Sequence, residues 1–327
     1  MKTTRLMLAG LITGIAGLAA AQDGAPSMGS QQARAAEIMP LAQKNLLLAI
    51  TRAGQQLVAA GDRGTILLSG DGKAWEQVQV PVNATLTALS FADAQSGWAV
   101  GHDAVILHTG DGGRHWHLQH FQPKESQPIL GVLALSAERA YAVGAYGTFL
   151  ATRDGGASWS PVEAPAVLEN GPHLNALIRL NNGDLFIAGE AGLLAVQDGG
   201  KTWRRLSLPY EGSLFGALPR GERGALVYGL RGNVFVTADV RGSQWTRLDT
   251  GTLQSLFGGA LLPGGEAVLV GADGAVLIVG ADNKVRRGGF STEKTETAAS
   301  YAGVLPLKND LLVVSEFGVG SLPGLAR

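Results

Sequence analysis

The chain has 327 residues, 46% of them hydrophobic and 16% charged, with 26 basic side chains against 27 acidic ones and no cysteine. Without cysteine there is no disulfide framework, no thiolate metal site and no cysteine nucleophile, so stability rests on packing. A near-neutral balance with no long run of either sign excludes a general nucleic-acid binder.

The first residues place Lys2 and Arg5 ahead of an apolar run from Leu6 to Leu18, and Ala19 and Ala21 then stand at the spacing a signal peptidase reads. Residues 1–21 are therefore expected to be a signal peptide, 22–33 a flexible N-terminal segment and 34–327 one folded domain, periplasmic after export. The apolar run is short for a span of about 20 residues and contains Gly10, Gly14 and Gly17, and later apolar runs are broken within about 8 residues. No direct membrane insertion is expected after cleavage. Loss of Lys2 and Arg5 leaves 24 basic residues against 27 acidic ones.

From residue 56 onward a glycine-anchored G-x-x-G turn recurs after short apolar runs, opening at Gly61, Gly101, Gly144, Gly189, Gly229 and Gly271, with a weaker copy at Ser315. The intervals are 40, 43, 45, 40, 42 and 44 residues, a period that marks a repeat architecture. Strand-like strings flank each turn, such as QQLVAAGD and GTILLSG or DLFIAGE and AGLLAVQ. Glycine suits a tight hairpin turn because such turns need positive φ. An apolar string precedes each pair in most copies (LTALSFAD, ILGVLALS, LNALIRLN) and a shorter one follows (WHLQH, WRRLSL). Four strands per repeat make a propeller blade, and seven repeats predict an all-β, seven-bladed β-propeller. The seventh copy supplies only three strands. Residues 34–43 are expected to add the fourth, so that the N- and C-terminal segments pair and close the ring, with Pro40 at an edge.

Tryptophan occupies a fixed slot after the turn: Asp71 with Trp75, Asp111 with Trp116, Asp154 with Trp159, Asp198 with Trp203 and Asp239 with Trp245. Sixth and seventh copies are degenerate. The pattern S/T-x-D-x-G-x-x-W resembles the Asp-box, or BNR, repeat of sialidase-like propellers, in which the Asp accepts hydrogen bonds from its own turn and the Trp packs between blades. The segment Ser96 to Trp116, SGWAVGHDAVILHTGDGGRHW, is similar to the repeat of the photosystem II stability and assembly factor family, which also has exported, non-photosynthetic bacterial members. The resemblance covers roughly residues 40–322. It implies a non-catalytic scaffold that binds an envelope membrane-protein complex. In non-phototrophs it implies company with inner-membrane transporters of the RND superfamily, and in phototrophs an assembly chaperone with an arginine-rich face. The arginines here are scattered, which departs from the photosynthetic pattern.

In a propeller the turns between second and third strands share one face with the links between blades, around the channel mouth. Asp-boxes lie on the opposite, outer edge, where a structural role is expected. The mouth residues read from the turns are Asp62, Arg63, His102, Asp103, Tyr146, Glu190, Arg231, Asp273, Glu316 and Phe317, a mixture suited to a partner's loop or a ligand. A sialidase-like or glycan-binding propeller is the alternative, and a photosystem II assembly factor a further one. Sialidase chemistry needs three converging arginines with a tyrosine and a glutamate; only Arg63, Arg231, Tyr146 and Glu190 are at hand, so no catalytic residues are assigned. His115, His117 and His120 resemble a metal cluster, but on a strand they read as solvated side chains, and no metal or cofactor is expected. Long links at 120–128, 160–173 and 286–300 are candidate recognition loops.

Overall fold

The computed structural model describes residues 33–125, 127–200, 202–242, 244–288 and 299–323. The expected signal peptide and all but the last residue of the 22–33 segment lie outside them. Seven antiparallel sheets follow one another along the chain, six of four strands and the last of three. Their first strands are Leu47–Ala53, Leu86–Phe91, Ile129–Ala134, Leu174–Arg179, Leu214–Arg220, Leu256–Leu261 and Tyr301–Pro306. Each touches the next, and the seventh touches the first, so the sheets stand as blades around a central channel. The protein is a seven-bladed β-propeller.

Second strands are buried along nearly their whole length, for example Gly97–Gly101, Leu185–Gly189 and Ala267–Gly271. Each blade packs on a neighbour at both faces, so these strands read as continuous apolar runs rather than alternating ones. Trp98 and Phe186 are fully buried there. Fourth strands, such as His117–His120, form the wet outer edge.

The G-x-x-G signature contains two glycines with different tasks. In blade 1 the Thr65 N–H donates to the Asp62 carbonyl at 2.9 Å, and Arg63 and Gly64 have φ of 52° and 68°. This is a type I′ turn, whose twist matches that of the strands it joins. Only the closing glycine has positive φ. The opening one, Gly61, is extended at φ −173°, and a Cβ there would collide with the Leu46 carbonyl oxygen and Leu47 Cα. Close backbone approach, not positive φ, is what its glycine satisfies.

That approach arises from a bulge. Gly61 faces Leu47 and Ala60 faces Ala49, leaving Leu48 without a partner. The same interruption recurs at Thr87, Leu130, Asn175, Phe215, Phe257 and Ala302. Every first strand is thus bent at its second residue, which a bulge achieves by inserting one unpaired residue.

Among the described residues the expected fourth strand of blade 7 does not form. Residues 36–39 are held on the outer edge of blade 1 instead: Ala36 N–H donates to the Val80 carbonyl, and the Gln77 and Gln79 amides donate to the Glu37 and Ala36 carbonyls. Pro40 has no N–H to give a ladder, and the chain then turns through a 3-10 segment, Ala42–Lys44, packed against the last strand, Gly318–Pro323. The two terminal segments meet, but the seam is closed by side chains: Leu47, Ala59 and Leu67 of blade 1 against Val314 of blade 7.

Candidate functional site at the channel mouth

The type I′ turns project their first left-handed residue as a tip: Arg63, Asp103, Tyr146, Ala191, Arg231 and Asp273, all at φ 50–58°. Backbone bonds tie the turns to the interblade links, from Gly64 to Ala84, Gly147 to Pro172, Gly192 to Gly212 and Gly274 to Ala299. Turns and links therefore share one face, around the open end of the channel.

The rim residues fall into small groups. Glu190 accepts the His173 N–H at 2.7 Å, and the His173 ring meets Tyr146 edge to face at 5.0 Å between centroids. Tyr146 is 63% exposed. Glu316 accepts the Ser300 N–H at 3.0 Å, and the Ser300 hydroxyl accepts the Asp273 N–H at 3.3 Å. Asp62 accepts the Thr85 hydroxyl at 2.9 Å and lies 3.7 Å from the Arg63 guanidinium. His102, Asp103 and Arg231 make no side-chain contact of this kind among the described residues. Phe317 is 60% exposed in the tighter seventh turn.

Beneath the rim lies a collar that the repeat signature did not reveal. Each bulge residue sits one place after a buried residue at the mouth end of the innermost strand, and each is more exposed than that neighbour. Thr87 donates to the Ile129 carbonyl of the next blade at 2.6 Å, and Asn175 to the Leu214 carbonyl at 2.8 Å. Phe215 and Phe257 meet across blades 5 and 6 with ring centroids 5.5 Å apart and planes tilted by 50°. Their constant place, 13 or 14 residues before the opening of each turn, is the signal that would have found them.

The Asp-boxes lie at the far end of the blades. Asp154 accepts the Ser158 hydroxyl at 2.6 Å, its N–H at 3.0 Å and the Thr152 hydroxyl at 2.8 Å, which bring its carboxyl down to about 2. Asp111 also lies at about 2: partial burial pushes it up, but the His115 N–H and ring and the Thr109 hydroxyl outweigh that. Asp71 is held likewise by the Lys73 and Ala74 N–H groups. Asp198 departs from this pattern and pairs with Arg241 at 2.6 Å, and Arg241 also reaches the buried Asp184 at 2.7 Å. Asp239 accepts the Arg241 N–H at 2.9 Å and pairs with Arg223.

The tryptophans pack between blades. Trp75 and Trp116 donate to the Gly72 and Gly113 carbonyls of their own turns, and Trp159 and Trp98 both donate to the Gln119 side-chain oxygen Oε1. Trp203 lies on Phe149 and Trp245 near Phe186, each in the preceding blade. The three neighbouring histidines diverge: His115 lies 2.6 Å from Asp111, His120 2.7 Å from the Ala104 carbonyl, and His117 faces solvent.

Three arginines gather away from the mouth. Arg139, Arg153 and Arg179 line an open groove of about 920 Å³ between blades 3 and 4, on the Asp-box side, together with Tyr141 and Glu163.

A profile of the family described as photosynthesis system II assembly factor YCF48 matches residues 67–304. The photosystem II assembly lipoprotein Ycf48 of Synechococcus sp. (strain CC9902) is 24% identical over 203 residues, 60% of this chain and 60% of that relative's length. The chloroplastic photosystem II stability/assembly factor HCF136 of Cyanidioschyzon merolae is 34% identical over 105 residues, 32% of this chain and 23% of the relative. Among solved structures, YCF48 from Cyanidioschyzon merolae superposes with a TM-score of 0.70 at 17% identity, covering 90% of this chain and all of that one. A structure described as YCF48 bound to D1 peptide gives 0.67 at 19% identity, covering 92% of this chain and 99% of the other. With most of its length matched by the family profile and all seven blades in place, the chain belongs to the YCF48 family of photosystem II assembly factors.

Proposed function

We propose that this protein is a non-catalytic assembly factor that holds an extramembrane segment of a membrane-protein subunit at its channel mouth. The observation that carries the reading is the family match, joined to a related propeller described as bound to a D1 peptide. The mouth supports it: rigid turns tied to the interblade links present exposed aromatic and charged tips on one face, the arrangement in which loops on a scaffold carry recognition. The comparisons favour an assembly factor of the photosystem II kind over an accessory subunit of an RND transporter, for which they offer no support. A periplasmic location belongs to the same proposal and rests on the N-terminal sequence alone.

The test is a mild-detergent pull-down of the tagged protein from its native membranes, identified by mass spectrometry, with Arg231→Glu and Glu190→Arg alongside. Recovery of a membrane-protein subunit that both variants lose supports docking at the mouth; recovery of nothing above background overturns it. A glycan-binding reading has one specific observation behind it, the groove gathering Arg139, Arg153 and Arg179, which suits an anionic sugar. A glycan array that shows no retention of sialylated or sulfated glycans eliminates it.

A further inference from the structure

We infer that the channel mouth is built for a cationic segment carrying one bulky apolar side chain. This rests on the docking reading above and adds the chemistry of the partner. Two independent features of the mouth lead to it.

The first is the apolar content of the collar and its rim. Four of the bulge residues, Leu48, Leu130, Phe215 and Phe257, are large and apolar, although none is needed in a blade core: the residue before each one fills that place. Phe257 is 39% exposed while Leu256 is fully buried. Above Phe215 and Phe257 the turn and link of blade 5 present Leu230 at 37% exposure and Leu253 at 80%, and blade 7 adds Phe317 at 60%. Apolar side chains gathered on one face, with Phe215 and Phe257 in contact across two blades, mark a surface that a partner covers. A collar of seven side chains, one from each blade, beneath an apolar arc suits a single inserted side chain.

The second is charge. The seven turns carry five carboxylates, Asp62, Asp103, Glu190, Asp273 and Glu316, against the guanidinium groups of Arg63 and Arg231. Arg63 lies beside Asp62, which offsets it. Among the described links, Glu169, Glu211 and Asp249 add negative charge, Lys124 is matched by Glu125, and Lys44 lies in the link that enters blade 1. Arg247 and Arg287 start from outermost strands but line a groove with the blade 5 link, Leu253 included, and Arg287 donates to the Gly251 carbonyl, so both count among the cations of the mouth. Among the described turns and links nine carboxylates thus stand against six cationic side chains, and this negative excess at the mouth steers and orients a basic segment. A Trp, Phe or Leu flanked by Lys or Arg satisfies both features: the side chain enters the collar, and its cationic neighbours face the carboxylate rim.

The experiment uses the full mature chain and three fluorescein-labelled 12-residue Gly/Ser peptides, read by fluorescence anisotropy. One has a central Trp flanked by two Lys on each side, one replaces the Lys residues with Glu, and one replaces the Trp with Ala. The Lys/Trp peptide is expected to bind at least tenfold more tightly than either of the others, and to weaken as salt is raised from 50 to 300 mM. Phe257→Ser and, separately, Leu253→Ser are each expected to weaken it at least fivefold. Leu253 is so exposed that its replacement leaves the fold intact, which circular dichroism checks. Equal binding of the Lys and Glu peptides, or binding that neither variant alters, overturns the inference. The pull-down separates this failure from that of the docking reading. If a membrane partner is recovered and lost with Glu190→Arg while the peptides show no preference, docking stands and the assigned chemistry falls. If the Lys/Trp peptide binds as expected while membranes yield no partner, the chemistry stands and the assembly role falls.

Discussion

The left-handed tip and the opening glycine of a turn make separable predictions, and blade 4 offers the cleanest pair. Ala191 is an exposed tip held at φ 50°, where an L-residue costs about 1–2 kcal/mol. Ala191→Gly removes that strain and loses no packing, but it loosens the unfolded chain by about 0.4–1 kcal/mol. The net is a stabilisation of about 0.5–1 kcal/mol. With an unfolding entropy of about 2.1 cal/mol/K per residue over roughly 280 residues, the midpoint rises by about 1–2 °C. Gly189 is the opening glycine of the same turn and has no positive φ, yet a Cβ there would fall on the His173 carbonyl oxygen. Because the obstacle is backbone, Gly189→Ala is expected to cost about 2 kcal/mol and lower the midpoint by about 3 °C. Thermal unfolding followed by circular dichroism reads both. A lower midpoint for Ala191→Gly, or an unchanged one for Gly189→Ala, would refute the division of labour.

Three further predictions concern the blades and their boxes. Asp111 and Asp154 lie at about 2, below the ordinary 3.8, so the stability they confer is complete above about pH 5 and is lost as pH falls toward 2. Asp154→Asn should therefore flatten the acid limb of a pH–stability curve, and an unaltered limb would count against the assignment. Asp184 is buried and accepts from Arg241, Asn182 and the Gly199 N–H; Asp184→Ala is expected to cost about 2 kcal/mol in urea unfolding, whereas a neutral result would mean that water replaces all three. Gln119 accepts from Trp98, which is fully buried, and from Trp159 and donates to the Gly155 carbonyl, so Gln119→Ala should cost about 2–3 kcal/mol in urea unfolding, and Gln119→Glu, which keeps the acceptor but sets an oxygen against that carbonyl, should recover only part of it.

The architecture was legible because glycine is demanded at fixed points of every blade and tryptophan at another, so the period shows through low overall identity between repeats. The turns that form the mouth were legible for the same reason, down to Arg63, Tyr146, Glu190 and Phe317. What escaped depends on contacts between distant residues. Nothing local in residues 36–39 reveals that Gln77 and Gln79 will take their carbonyls, and a strand was the natural reading of the gap in blade 7. Asp198 carries the box signature but is diverted to Arg241 of the next blade. The collar was hidden because a bulge interrupts alternation without changing composition: Leu48, Leu130 and Phe215 look like any strand hydrophobe until the register is seen.

The bulges have a consequence for how such a protein changes its partner. Each is an unpaired residue at one constant address in its repeat, flanked by a residue that does carry the core. Substitution there alters the throat of the ring while leaving turn geometry and Asp-boxes untouched, at the cost of one interblade contact where the residue makes one, as Thr87 and Asn175 do. Seven such addresses act as an interchangeable alphabet around one pore, now spelled Leu, Thr, Leu, Asn, Phe, Phe, Ala. Relatives that keep the same ring can respell it one letter at a time, and selectivity can drift while stability holds.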